Sequence, residues 1–323
     1  MASKVRVILV KIAHTLASCM TFGPAHTPTA GITSLEDTKV INEIDTARVY
    51  TAGEQEAWTA AAGYKTDYNF AITTKCSPNQ AGVHSTSELP KYLNRSLIEL
   101  KTDSVDIFYF HAPDRSVPFL EILQTVDKLY KDGKFKISGI SNYTAYKVAE
   151  LVTLARDHDL VQPNLYQNPW SALRHCGLDL VIYNPLAGSL FPESTTSRPV
   201  CPKRGRFSAK SQHGEMYRSR YFRDVYWDAL DLVHPVAEKH SLTMLEIALR
   251  WMRLTGDGII IGVSSLTQME EDLSAIEKRP LPEDVAESLD KAWKIVKSDV
   301  TPYWHGELVY SPTSRRMRQE IFR

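Results

Sequence analysis

The sequence predicts a single α/β domain over residues 1–323, in which parallel strands close into an eight-stranded barrel. Short apolar runs alternate with longer amphipathic runs, which is the pattern of repeated strand–helix units and a parallel sheet. No G-x-G-x-x-G motif follows an early strand, so an open dinucleotide-binding sheet lacks its usual signature. A chain of 323 residues is also long enough for one barrel, because such domains commonly exceed about 250 residues.

The predicted strands are short runs rich in β-branched or aromatic residues and bounded by polar or turn residues. This composition is typical of strands that are buried on both faces. Seven of them are Glu43–Ala47, Phe70–Thr74, Val105–Phe110, Phe135–Ile140, Pro163–Tyr166, Leu178–Tyr183 and Ile259–Gly262. The eighth is expected near the N-terminus, at Arg6–Leu9.

Amphipathic runs between these strands predict helices. In each run, apolar residues recur three or four positions apart and therefore share one helix face. The clearest examples are Ser87–Leu100, Phe119–Tyr130, Tyr143–Ala155 and Leu242–Arg253. The Asp-Gly pair that ends at Gly133 is a stop signal for the second of them.

The charge balance limits the kinds of partner that the protein can have. The chain carries 38 basic and 38 acidic side chains, so its formal net charge is zero. This balance argues against nucleic acid or an anionic membrane held by bulk electrostatics. Because no apolar run approaches the ~18 residues of a membrane-spanning helix, we expect no membrane partner either.

The chain has four widely spaced cysteines, Cys19, Cys76, Cys176 and Cys201. They form no C-x-x-C pair and have no histidine-rich neighbourhood, so we expect no metal site and no disulfide framework. Lys11 and His14 interrupt the apolar stretch Val5–Met20, which disfavours a signal peptide. We therefore expect a cytoplasmic protein.

Polar side chains follow three of the predicted strands, at the barrel end where active sites form. These are Asp45, Lys75 and His111, and Tyr50 lies five residues beyond Asp45 in the following loop. Taken singly, the aspartate is most simply a cap and the histidine a satisfied polar residue. The lysine is different, because a buried ammonium is costly unless a carboxylate pairs with it. Asp45 is the natural partner.

Together these four residues make chemical sense. A lysine ammonium beside a tyrosine favours loss of the phenolic proton, so Lys75 would make Tyr50 a proton donor at neutral pH. Asp45 would hold the lysine in place, and His111 would orient a substrate carbonyl oxygen. This arrangement predicts hydride reduction of an aldehyde or ketone.

Ten stretches of the chain resemble the aldo-keto reductases, and most of all the aflatoxin-aldehyde reductase branch as it occurs in filamentous fungi. They run in family order from about Met20 to Trp304. The stretches are EIDTARVY (43–50), ITTK (72–75), VDIFYFHAPD (105–114), GKFKISGISNY (133–143), LYQ (165–167), YNPLAG (183–188), GRFS (205–208), MYRSRYF (216–222), ALRW (248–251) and GVSS (262–265).

The resemblance implies a (β/α)8 TIM barrel, NADPH as the cofactor, and Asp45, Tyr50, Lys75 and His111 as the catalytic residues. It also places Asp45 beside the cofactor. Around the nicotinamide it implies hydrogen bonds to the carboxamide and a stacked ring, assigned to Ser141, Asn142, Gln167 and Tyr183.

The resemblance likewise assigns the remainder of the cofactor and the substrate. Residues that would follow the pyrophosphate are Asn184, Pro185, Leu186, Ala187, Gly188, Ser189 and Leu190. Residues that would surround the adenosine and its 2′-phosphate are Arg206, Ser264, Ser265, Gln268, Glu271 and Asp272. His111, Tyr217 and Arg220 match positions that contact substrate. Considered without the resemblance, Arg206 could equally be a solvated loop cation.

The chain departs from the family pattern in four places. The segment VKIAHTLASC separates Arg6–Leu9 from the MTFG stretch, so the first strand is expected to be split or bulged. The first crossover is shortened, with only a two-turn helix expected from Ser34. The sixth is shortened as well, because Asn168–Gly177 is less than the roughly dozen residues that a parallel crossover needs. Residues 191–204 replace the usual Gly-Lys, and Asp272 replaces an asparagine.

These features lead to two functional hypotheses. The first is an NADPH-dependent carbonyl reductase, or the reverse reaction, acting on a bulky fungal secondary-metabolite intermediate such as a polyketide or terpenoid. The second is a degenerate scaffold with a non-redox role as an isomerase, binding protein or auxiliary subunit. The complete tetrad favours the first and the shortened helices favour the second. A missing helix would expose apolar barrel wall, which a rearranged loop or a second copy in a homodimer would cover.

Overall fold

The computed structural model describes residues 43–67, 70–168, 177–190, 206–211, 214–255, 258–263 and 266–300, and the backbone of 14–18. Its strands are β1 (His14–Ser18), β2 (Glu43–Asp45), β3 (Ala71–Cys76), β4 (Val105–Phe110), β5 (Phe135–Ser141), β6 (Leu165–Asn168), β7 (Asp179–Tyr183) and β8 (Gly258–Ile261). Neighbouring strands follow chain order from β1 to β8 and close into a barrel. The predicted (β/α)8 fold class is therefore confirmed.

The helices lie between the strands, as expected for repeated βα units. They are α1 (Gln55–Ala61), α2 (Leu89–Glu99), α3 (Phe119–Lys131), α4 (Ala145–Asp157), α5 (Gly214–Tyr221), α6 (Asp224–Lys239), α7 (Met244–Thr255), α8 (Leu266–Glu277) and α9 (Glu283–Val296). The four helices predicted from periodicity agree with α2, α3, α4 and α7 to within about two residues at each end.

The first strand begins later than the sequence predicts. Residues 6–9 lie outside the described part of the chain, and β1 is formed by His14–Ser18, inside the stretch interpreted as an insert. It pairs in parallel with β2, with Ser18 opposite Asp45. The segment HTLAS contains no continuous apolar run, so its sequence gives little indication of a strand. It is a strand because it pairs with β2.

The two shortened crossovers fall mostly outside the described residues. Residues 19–42 separate β1 from β2, and residues 169–178 separate β6 from β7. The two-turn helix expected from Ser34 lies outside the described residues, and so do residues 169–176 of the sixth crossover.

The third strand is longer than predicted, and this extension matters for the site. Its pairing with β4 continues from Thr73 to Cys76, with Lys75 opposite Tyr109. Lys75 is therefore part of the barrel wall rather than of the loop that follows. Because alternate residues of a strand share a face, Thr73 and Lys75 point to the same side.

A glycine makes room for the largest side chain in this part of the barrel. Tyr109 in β4 is completely buried, and it pairs with Gly139 in β5. A Cβ atom at Gly139 would collide with the ring carbons of Tyr109. The strand pair thus fits only because this position has no side chain.

The described residues fall into two compact units, which we treat separately. One lies within Leu16–Val181 and Gly262–Ser264, and the other within Ile182–Ile261 and Ser265–Pro302. In the second unit, α6 packs against α9 around buried residues such as Trp227, Val233 and Val285. The expectation of a single domain over residues 1–323 stays a prediction. Among the described helices, none combines the length and apolar character needed to cross a membrane.

Candidate active site

The parallel sheet brings the predicted catalytic residues together because carboxyl ends of parallel strands meet at one edge. Asp45 ends β2, Lys75 is the penultimate residue of β3, and His111 follows directly after β4. Tyr50 begins a short 3-10 turn, Tyr50–Gly53, just beyond β2. All four lie in the same unit of the structure.

The centre of this site is a buried ion pair between β2 and β3. Lys75 Nζ lies 2.7 Å from Asp45 Oδ2, and both side chains are almost fully excluded from solvent. The same nitrogen donates to the backbone oxygen of Thr46 at 2.9 Å and to the hydroxyl of Tyr50 at 3.4 Å. An ammonium group has three protons to donate, so these three acceptors satisfy it completely.

Two further hydrogen bonds fix the carboxylate of Asp45. Its Oδ1 accepts from Thr73 Oγ1 at 3.2 Å and from Gln167 Nε2 at 2.9 Å. A buried charge is tolerated only when its lone pairs are satisfied in this way. The sequence analysis did not identify Thr73 as a site residue, although its position two residues before Lys75 on the same strand face was a usable signal.

The backbone holds Tyr50 in a tight turn next to the lysine. Tyr50 N–H donates to the Ala47 carbonyl at 2.9 Å, and the next two residues, Thr51 and Ala52, have left-handed backbone angles. The aromatic ring is edge-on to the His111 imidazole, with 5.8 Å between ring centroids. This geometry places the hydroxyl, the ammonium and the imidazole in one cluster.

The backbone of His111 is anchored on both sides. Its N–H donates to the Cys76 carbonyl at 2.9 Å, and its carbonyl accepts from Asn142 Nδ2 at 2.8 Å. Asn142 has a φ of 60°, a left-handed conformation that asparagine tolerates better than most residues. The position of His111 is therefore set by the strands on either side of β4.

The residues assigned to the nicotinamide carboxamide are also gathered in this unit. Ser141 and Gln167 are paired across β5 and β6, and Asn142 follows Ser141 directly. All three are buried, and Asn142 Nδ2 lies 3.1 Å from Ser141 Oγ. Hydroxyl and amide groups at adjacent strand ends are the donors and acceptors that a carboxamide requires, so the residues present fit this group.

The second unit contains most of the residues assigned to the pyrophosphate and the adenosine, and two of those assigned to the substrate. Asn184, with a φ of 54°, accepts the Gly188 N–H at 2.9 Å and donates to the Tyr221 hydroxyl at 2.7 Å. Arg206 Nη1 donates to the Tyr217 hydroxyl at 2.9 Å, and the guanidinium lies over the Tyr217 ring. A guanidinium held by a neutral partner keeps its charge for an anion.

The remaining residues that the resemblance assigns to the adenosine lie on α8 or just before it in the chain. Gln268 and Glu271 are exposed on α8, and Asp272 is buried beside them. Burial, followed by the nearby Glu271 carboxylate, raises the pKa of Asp272 to about 7. Ser264 and Ser265 lie outside the described residues, and Tyr217 is buried by packing against Gly188 and Phe207. Their assigned contacts stay predictions.

The structure reveals one more titratable group at the base of the ion pair. Glu43 lies two residues before Asp45 on the same strand face, and its Oε1 is buried without a hydrogen-bond partner among the described residues. Burial, followed by the Asp45 and Asp106 carboxylates, raises the pKa of Glu43 to about 8, against a smaller opposing effect of Lys75. Glu43 is therefore mainly protonated at neutral pH, and Asp45 remains the partner of the ammonium.

These features define a class of protein: a barrel enzyme with acid–base groups at the carboxyl ends of its strands. Residues 39–294 match the model of the Aldo/keto reductase family, so the chain belongs to the aldo-keto reductases. It is an oxidoreductase that acts on carbonyl or alcohol groups, and members of this family generally use NAD(P)H.

Individual relatives support the same assignment. The chain is 34% identical to an aldo-keto reductase of Pseudocercospora fijiensis (strain CIRAD86), over 81% of this chain and 96% of the relative. It is 34% identical to the aldo-keto reductase pigE of Monascus ruber, over 81% and 86%. It is 33% identical to aflatoxin B1 aldehyde reductase member 2 of Rattus norvegicus, over 82% and 79%.

The buried carboxyl of Glu43 predicts a specific dependence of stability on pH. Its pKa in the folded protein, about 8, is above the ordinary value of 4.5. The folded state therefore binds more protons than the unfolded state between these values, and the free energy of unfolding falls as pH rises from about 4.5 to about 8. In E43Q this fall should be smaller, and urea titrations at pH 5 to 9 will measure it.

Asp272→Asn is the matched comparison, because the pKa of Asp272 is also raised by burial. This substitution should remove a separate part of the decrease in the free energy of unfolding, a part that ends near pH 7 rather than near pH 8. Parallel curves for the wild type and E43Q would contradict the assignment of a protonated Glu43.

Proposed function

We propose that this protein catalyses the NADPH-dependent reduction of an aldehyde or ketone to an alcohol, or the reverse reaction, with Tyr50 as the proton donor. The observation that carries the proposal is the continuous chain Asp45–Lys75–Tyr50, in which one buried ammonium contacts the carboxylate and the phenolic hydroxyl. An arrangement of this kind is suited to deliver a proton to a carbonyl oxygen, because the ammonium favours loss of the phenolic proton.

Each residue then has a definite task. The Lys75 charge favours release of the Tyr50 proton, and the proton moves from the Tyr50 hydroxyl to the carbonyl oxygen as negative charge develops there. Asp45 holds the ammonium against the tyrosine, and the imidazole of His111 orients the carbonyl oxygen. In the reverse direction, the phenolate of Tyr50 accepts the proton of the alcohol.

NADPH, when bound, supplies the hydride. Ser141, Asn142 and Gln167 would hold its carboxamide, with Tyr183 against the ring. Residues Asn184–Leu190 would follow the pyrophosphate, and Arg206 would meet the 2′-phosphate. A guanidinium whose described partner is a neutral tyrosine supports this last assignment.

The substrate that we propose is a bulky carbonyl compound, such as a polyketide or terpenoid intermediate of secondary metabolism. Several relatives are named as aldehyde reductases of aflatoxin B1, which supports a large substrate. The short segment between β6 and β7 supports it as well, since loops at this end of a barrel shape the pocket. We place the reaction in the cytoplasm, where the free thiol of buried Cys76 fits a reducing compartment.

The first test removes the hydroxyl of the proton donor. Tyr50→Phe should lower kcat by ~10²–10⁴-fold, because general acid catalysis is lost, while the affinity for NADPH stays close to that of the wild type. Lys75→Met should lower kcat similarly by removing the cation beside the phenol. Steady-state rates and quenching of tryptophan fluorescence by NADPH measure the two quantities.

Tyr64→Phe is the matched control, because it also removes a buried tyrosine hydroxyl, one that donates to the Leu100 carbonyl at 3.2 Å. It should leave kcat near the wild-type value. Rates near wild type in both Tyr50→Phe and Lys75→Met would exclude the proposed tetrad, and failure of the wild type to bind NADPH would favour a non-redox role.

The second test concerns the choice of cofactor. Arg206 offers a positive charge to a 2′-phosphate, so kcat/KM should be higher with NADPH than with NADH. Arg206→Ala should narrow this difference by raising KM for NADPH alone. Equal use of the two cofactors by the wild type would show that Arg206 does not bind the phosphate. Lys210→Ala is the control, because it removes a positive charge four residues away in the chain.

The third test concerns substrate size. A pocket widened by the short β6–β7 segment gives small aldehydes few contacts, and misplacement by ~1 Å can cost ~10²-fold in rate. We therefore expect higher kcat/KM for polycyclic carbonyl compounds than for small aldehydes. Insertion of a full-length loop and helix from a relative after Asn168 should reverse this preference. If the insertion only raises the melting temperature and leaves the preference unchanged, the pocket argument is wrong.

A further inference from the structure

A second histidine is buried close to the tetrad but has no role in the chemistry described above. His84 lies between β3 and α2 and is completely excluded from solvent. Its ring packs against Phe110, the last residue of β4, with 5.0 Å between ring centroids. Desolvating a polar ring is costly, and of its two nitrogens only Nε2 has a hydrogen-bond partner among the described residues.

The hydrogen bonds of His84 tie the segment after β3 to the segment after β4. Its ring Nε2 lies 3.2 Å from the Cys76 carbonyl oxygen, and its backbone N–H donates to Asp114 Oδ2 at 3.1 Å. The other oxygen of Asp114 accepts from the backbone and side chain of Ser116, at 3.0 and 2.6 Å. Asp114 is therefore itself held firmly, and it can anchor His84.

The Cys76 carbonyl is the point where this arrangement meets the tetrad. It accepts the N–H of His111 at 2.9 Å as well as the ring of His84. Cys76 also follows Lys75 directly in β3, so this carbonyl lies one residue beyond Lys75 and holds the N–H of His111. A carbonyl has two lone pairs, and here His84 and His111 each use one.

The protonation state of His84 follows from its surroundings. The Cys76 oxygen can only accept, so Nε2 carries the proton. Burial lowers the pKa of His84 to about 4, against opposing effects of Asp114 and of the hydrogen bond to Cys76. The ring is therefore neutral at the pH of the assays and acts as a fixed donor rather than as an acid or base.

We propose that His84 is a positioning residue, which fixes the Cys76 carbonyl and through it the imidazole of His111 relative to Lys75. Its catalytic consequence rests on the proposed function, but its effect on His111 does not. Without the donor, the Cys76 peptide can rotate and the N–H of His111 loses its fixed acceptor. Because small displacements at a reacting centre reduce rates steeply, kcat should fall on the order of tenfold to a hundredfold.

The experiment compares donors and non-donors at this position. His84→Leu keeps bulk but removes the donor, and His84→Asn keeps a polar amide whose shorter side chain does not reach as far as Nε2. His84→Gln has an amide N–H at about the reach of Nε2. Tyr64→Phe is the matched control, because it removes another buried hydrogen bond of 3.2 Å from a side chain to a backbone carbonyl.

Three quantities are measured for each variant: the melting temperature, kcat and KM with NADPH, and the ¹⁵N signals of the His111 ring, assigned with His111→Gln. We expect His84→Leu and His84→Asn to lower kcat, with little change in KM for NADPH, and to shift the His111 signals. His84→Gln should restore most of kcat and bring the His111 signals back towards their wild-type positions. Tyr64→Phe should lower only the melting temperature.

Two results would overturn the proposal. One is an unchanged His111 signal in whichever of His84→Leu and His84→Asn folds. The other is a loss of kcat in Tyr64→Phe as large as in the His84 variants, which would show a general effect of stability. If the wild type reduces no carbonyl compound, the proposed function fails, and the His111 signals still decide whether His84 positions that ring.

Discussion

The buried contact between Lys75 and Asp45 is the constraint on which the rest of the site depends. Two opposite charges 2.7 Å apart are almost fully removed from water, and such a pair is stable only with precise geometry and satisfied hydrogen bonds. The structure meets this demand with Thr46, which follows β2 directly, Thr73 in β3 and Gln167 in β6. Part of the free energy of folding is used here to hold a lysine where a solvated one would be more stable, and the third proton of its ammonium is directed at Tyr50.

Next to this ion pair a second carboxyl group, that of Glu43, does not compete with Asp45 for the lysine. Glu43 shares the strand face with Asp45, and two adjacent negative charges would oppose each other in a buried site. Burial keeps Glu43 mainly protonated at neutral pH, as its pKa of about 8 shows. Tyr109 lies close to both carboxyls, and its pKa is raised well above the usual value by burial and then by Glu43 and Asp45. A protonated Glu43 thus adds no negative charge beside the ion pair of Lys75 and Asp45.

Main-chain hydrogen bonds and turns also position the residues of this site. The main chain of His111 is held through its own N–H and carbonyl, by Cys76 on one side and Asn142 on the other. Tyr50 is likewise placed by a turn whose next residues, Thr51 and Ala52, adopt strained left-handed angles. Both devices fix the two residues through their main chain.

The sequence by itself determined the strand–helix alternation and most element boundaries, because buried strands and amphipathic helices have local signatures. It also pointed to Asp45, Tyr50, Lys75 and His111 as neighbours, because a lysine at the end of an apolar strand needs a carboxylate. It did not locate β1 at His14–Ser18, since that strand depends on pairing with β2. It also missed Thr73, Glu43 and His84, whose residue types are ordinary in isolation. Only the tertiary structure decided their surroundings, because parallel pairing brings residues distant in the chain to one barrel end. There burial changes pKa values, and one carbonyl oxygen contacts two histidines.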